Sequence, residues 1–141
     1  MFDRWQDLKL RVEAEVRATE DKTKVEAAIK KIFPTLQLNF TDNYLVGEST
    51  DTGALDRLHQ LLRLQGILDS ARKVMRASRR ENLIQFMLNK QVAAVSKVSF
   101  TDGESPLGPI VVAIEASDIE RLIDYLAPRT REGKPIEEIR Y

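Results

Sequence analysis

Arg72, Lys73, Arg76, Arg79 and Arg80 put five cations into nine residues, four of them arginine. None has a glutamate four residues ahead to pair with along a helix, and like charges at that spacing repel. Arginine's planar guanidinium suits bidentate contact with phosphate better than lysine does. The chemistry these residues could do is therefore to hold a polyanion. The ordinary alternative is a solvated helix end, where the dipole also favours cations.

A second group lies further on. Asn89, Lys90 and Gln91 form a polar corner of amides around a cation, suited to sugar or base contacts. The loop Thr101–Pro109 contains Asp102-Gly103, Ser105-Pro106 and Gly108-Pro109, so its prolines stiffen it and it can present Ser105 as a recognition residue. Leu61 and Leu64 fall off the main apolar stripe of their helix and are candidates for a partner surface, in a homodimer or as an accessory subunit of a larger assembly.

Other chemistries find little support. With no cysteine and one histidine, disulfides, thiol catalysis, cysteine-ligated zinc and histidine-rich metal sites are excluded. His59 borders an apolar stripe without a recognisable catalytic partner. Gly133-Lys134-Pro135 lacks the rest of a phosphate-binding Walker loop. Glu13 and Glu15 share a strand face with Arg11 and Arg17, which suits cross-strand pairing better than acid–base work. A non-catalytic protein is expected, with no metal, cofactor, small-molecule substrate or catalytic residue assigned.

The whole chain sets the frame for these groups. Its 141 residues suit one domain, with 130–141 as a docked or frayed tail, and its 22 basic and 22 acidic residues cancel. The cancellation conceals segregation: seven cations (Arg57, Arg63, Arg72, Lys73, Arg76, Arg79, Arg80) face one anion, Asp69, across 57–80. The balancing acids lie elsewhere, among them Glu120 and Asp124. No apolar run approaches the roughly 20 residues of a membrane span, and the opening lacks a secretory pattern, so a cytoplasmic protein is expected.

Periodicity supplies the elements. Leu8 to Arg17 alternates apolar and charged residues, which predicts a half-buried strand. A helix capped by Thr19 comes next and stops at Pro34, and alternation resumes at Leu36, Leu38 and Phe40. Gly66 divides two helices, roughly Gly53–Gln65 and Ile67–Arg79. Leu83–Leu88, Val95–Phe100 and Ile110–Ile114 read as strands, the last two as a hairpin around the stiff loop. Ser117-x-x-Glu120 matches a capping box before a final helix ended by Pro128. The expected fold is α+β in the order β-α-β-α-α-β-β-β-α, a mostly antiparallel or mixed sheet packed against helices.

Leu88-Asn89-Lys90-Gln91-Val92-Ala93 and Glu104-Ser105-Pro106-Leu107-Gly108-Pro109-Ile110 together resemble a family of small archaeal proteins to which RNA binding is ascribed. Val12 to Asp21, Ile67 to Arg72 and Leu126-Ala127-Pro128 are similar to the same family, in the right order. The resemblance implies a fold like that of the large-subunit ribosomal protein that contacts 5S ribosomal RNA. It also implies a connection to the archaeal exosome or RNA processing, with Lys90 and the Ser105–Pro109 loop as characteristic positions. Scarce aromatics, with Phe86 and Phe100 reading as core, point to phosphate contacts with a structured RNA over stacking of single-stranded bases.

Overall fold

The alternating run Lys9–Glu15 forms β1, with Leu10, Val12 and Ala14 buried beneath the exposed or half-exposed residues between them. β1 is the middle of a five-stranded antiparallel sheet. It pairs on one side with β3 (Tyr44–Ser49) and on the other with β5 (Pro109–Glu115). β2 (Asn39–Thr41) and β4 (Leu83–Asn89) form the two edges, giving the order β2-β3-β1-β5-β4. The computed structural model describes residues 7–104 and 106–138.

The helices are α1 (Lys22–Ile32), α2 (Asp56–Leu64), α3 (Leu68–Ser78), the single turn α4 (Lys90–Ala93) and α5 (Ile119–Leu126). Val25, Ala28, Ile29 and Ile32 of α1 are buried in one core with Ile84, Phe86 and Leu88 of β4 and Ile110, Val112 and Ile114 of β5. The α+β expectation holds. No described helix is long and apolar enough to cross a membrane.

Several local expectations are corrected. Val95–Phe100 is not a strand. The amides of Val95, Ser96 and Lys97 turn back to carbonyls of Val92 and Ala93, Ser96 takes a φ of 64°, and Gln65 binds both backbone groups of Val98. Only Phe100 bridges to Leu88. The expected hairpin is therefore absent, and β5 pairs with β4 and β1. Asp21, not Thr19, caps α1 by accepting from the Thr23 amide at 2.9 Å. Asp118, not Ser117, caps α5 through the Arg121 amide at 3.1 Å. Asp, Ser and Thr are all good cap residues, so composition alone does not separate neighbouring candidates one or two positions apart.

Two tight backbone features shape the surface beside β1. Asp42 and Asn43 both have positive φ, 52° and 67°, which is the backbone of a two-residue hairpin turn between β2 and β3. Gly47 is required by close approach: a Cβ there would come within 2.8 Å of Leu36 and Leu38. At the other end of the chain, the tail is docked over its described part, forming a small hairpin of β6 (Thr130–Arg131) and β7 (Lys134–Pro135). Glu138 then pairs with Arg63 at 2.5 Å.

Candidate nucleic-acid interface

The arginines of α3 are already engaged. Arg72 pairs with Asp124 of α5 at 2.7 Å and donates to the Ala127 carbonyl, with little of its side chain exposed. Arg76 reaches Glu120 at 3.0 Å, and Arg79 binds the same carboxylate. These three stand at i, i+4 and i+7, so they share the side of α3 that meets α5. Upstream, Arg63 donates to the Tyr125 and Leu126 carbonyls at the end of α5, and Arg57 donates to Gln60. Of the five cations in 72–80, Lys73 and Arg80 keep an exposed charge without a carboxylate partner among the described residues, and Arg80 donates to the Arg79 carbonyl. The expectation of five phosphate-ready cations on α3 is thus corrected to two.

Lys90 is corrected more sharply. Its side chain is 5% exposed, and Nζ donates to Glu20 at 2.9 Å, to the Leu107 carbonyl at 2.7 Å and to the Glu15 carbonyl. All three ammonium protons are satisfied, so Lys90 fastens the Pro106–Pro109 end of the stiff loop to the β1–α1 turn. Burial pushes the Glu20 carboxyl up, but the Arg17 amide and the Lys90 ammonium outweigh it and bring it below the ordinary glutamate value. Arg17 adds a hydrogen bond to the Pro106 carbonyl. Asn89 caps α4 by accepting from the Val92 amide at 3.0 Å. Gln91 is exposed, and Ser105 lies outside the described residues.

Of the two candidate partner residues, Leu61 is 4% exposed and belongs to the core, whereas Leu64 is 69% exposed as expected. The stripe of α2 is broader than a strict i, i+3, i+4 reading because both α5 and α3 pack on it. His59 is structural. It stacks on Tyr125 with ring centroids 4.4 Å apart, and burial followed by the Arg63 charge lowers its pKa.

Four further cations without an ion-pair partner among the described residues share one helix, α1. Lys22, Lys24, Lys30 and Lys31 are all exposed, and none makes an ion pair among the described residues. Two depressions flank the start of this helix. One, of about 350 Å³, lies between α1 and α4 and includes Thr19, Lys24, Gln91 and Leu107. The other, of about 690 Å³, is an open cleft whose walls include Arg17, Lys22, Phe40 and Asn43. Glu20 lines both.

The sequence reading missed this region. The lysines of α1 are spread along the helix and do not form a cluster by eye, and Phe40 continued an apparently buried alternation. The signals it carried were the near absence of acids in the outer positions of α1, where Glu26 stands alone, and the Asp42-Asn43 turn that makes β2 a short edge.

A family model described as RNA binding matches residues 9–117. The chain is 46% identical to the UPF0201 protein of Sulfurisphaera tokodaii over 92% of its own length and 94% of that protein's. It is 43% identical to the UPF0201 protein of Pyrococcus horikoshii over 89% of this chain and 94% of that one. The crystal structure of the UPF0201 protein from Methanococcus jannaschii superposes with a TM-score of 0.83 at 38% identity, covering 92% of this chain and 99% of that one. Sequence and fold agree over nearly the full length, and the chain belongs to the archaeal UPF0201 proteins, within the family described as RNA binding.

Proposed function

We propose that this protein is a non-catalytic RNA-binding module that grips the phosphate backbone through α1. The observation that carries the reading is the four exposed, unpaired lysines of that helix, next to a groove holding Gln91. Lysines with no carboxylate partner release only water and counterions when they meet phosphate, and that release drives backbone binding. Lys73 of α3 and Arg80, just beyond the helix end, are secondary candidates, while Arg72, Arg76 and Arg79 hold α3 to α5. The family description supports the choice of RNA as the polyanion. A place in RNA processing, beside the exosome or the ribosome, belongs to the same proposal.

Crosslinking to total cellular RNA, with mapping of the peptides that carry adducts, tests it. Adducts on the segments containing Lys22–Lys31 and Gln91 are expected. Adducts confined to 72–80, or none anywhere, would overturn the α1 assignment. With Leu61 buried, a single exposed Leu64 does not favour a protein-partner reading over this one.

A further inference from the structure

We propose that the cleft between the β1–α1 turn and the β2–β3 hairpin takes an unpaired nucleobase, stacked on Phe40. The proposal rests on the RNA-binding reading above and names the part of the RNA that this cleft selects. Phe40 is 44% exposed and Tyr44, across the same hairpin turn, is 42% exposed, on a chain that buries most of its other large apolar side chains. The left-handed Asp42-Asn43 turn sets Phe40 opposite Leu45 on one face of the hairpin, while Tyr44, paired with Thr41, stands on the other face and outside the cleft. The hairpin is anchored to the rest of the cleft, since the Val16 amide donates to the Asn43 carbonyl at 2.7 Å. The platform is therefore rigid.

Lys22 completes the site. Its ammonium lies 5.1 Å from the centroid of the Phe40 ring, an exposed cation–π contact. Such a contact is weak at an exposed site, weaker than the stacking of a base on an aromatic ring. An incoming base exchanges places with the ammonium, and Lys22 turns to the phosphate attached to that base. The cleft's volume, about 690 Å³, is in the range of small-ligand sites.

The acids of the cleft discriminate between ligands. Glu15 is bonded to Arg17 at 3.0 Å and Glu20 to Lys90, and both residues are among those lining the cleft. Arg17 and Lys22 balance the two acids in this lining, and an acceptor oxygen there can receive a hydrogen bond from the amino group of a base. The site thus suits a base with a donor on its edge, with the phosphate outside at Lys22. A duplex keeps its bases stacked and cannot enter, so a bulge, loop or strand end is required.

Fluorescence anisotropy with two labelled RNA hairpins, alike except for one bulged adenosine, tests the proposal. The wild-type chain is expected to bind the bulged hairpin about tenfold tighter. Phe40→Ala should bring the bulged hairpin down to the paired one, and Phe40→Trp should retain the preference. Phe40→Leu keeps apolar bulk without the ring and should lose the preference, which guards against a folding effect in the alanine variant. Equal wild-type affinity for the two hairpins, or a preference that survives Phe40→Leu, would overturn the stacking site while leaving backbone binding through α1 intact. Failure of the wild-type chain to bind either hairpin at low salt would overturn both.

Discussion

α1 and α3 are helices of eleven residues each, and both carry several cations. They differ in what stands opposite. α3 packs against α5, and there Asp124 and Glu120 receive Arg72, Arg76 and Arg79. α1 turns its buried side to α4 and α2, and its four lysines are exposed and make no ion pair among the described residues. An arginine that already faces a carboxylate has its charge largely neutralised before a phosphate arrives. A free lysine gives up only solvent. Local charge density marks where the cations are, and the tertiary partner decides which remain available.

Lys90 is the extreme of the engaged kind, and removing it has the largest expected effect. Lys90→Met leaves the Glu20 carboxylate without its cation and the Leu107 and Glu15 carbonyls without the ammonium donor, so stability should fall by about 3–5 kcal/mol at neutral pH. Urea unfolding measures this. The difference also depends on pH in a definite direction. Because the Glu20 carboxyl is held below its ordinary value, the pair's stabilisation is complete above the ordinary glutamate range and is lost as pH falls through the depressed one. The gap between wild type and Lys90→Met should therefore narrow in acid. A gap that stays constant down to about pH 3 would show that the ion pair is not its source.

Arg72 gives the next largest effect and sharpens the contrast between the helices. Arg72→Met breaks the pair with a half-exposed Asp124 and the bond to the Ala127 carbonyl. A loss of about 2 kcal/mol is expected once solvent screening is allowed for. RNA affinity measured below the melting transition should stay within about twofold, since on this account Arg72 was never available to phosphate. A tenfold loss of affinity without loss of stability would place α3 at the interface instead.

Much of this scaffold was legible from residue order. The period-two run at Leu8–Arg17, the Gly66 break and the stripe of Ile119, Leu122, Ile123 and Leu126 led to real elements because each is a local pattern with a local cause. The site was much less legible. Glu120 and Asp124 lie 41 to 52 residues from the arginines they bind, and no local rule couples them. Lys90 looked like part of a surface corner, but the Leu107 and Glu15 carbonyls that bury it come from two distant segments. Phe40 shared the alternation of Leu36 and Leu38, yet β2 is a three-residue edge strand with every residue exposed. Val95–Phe100 had the composition of a strand, and its hydrogen bonds went to a turn and to Gln65.

The division between engaged and free cations is tested most directly by removing the same charge from each helix. Lys24→Gln with Lys31→Gln strips two charges from α1, and Arg76→Gln with Arg79→Gln strips two from α3, all at exposed or half-exposed positions. The quantity to measure is the slope of log affinity for an RNA hairpin against log salt between about 50 and 200 mM. The wild-type slope should be about −3 to −5, the α1 variant's shallower by about 2, and the α3 variant's unchanged. A shallower slope in the α3 variant beside an unaltered one in the α1 variant would contradict the account.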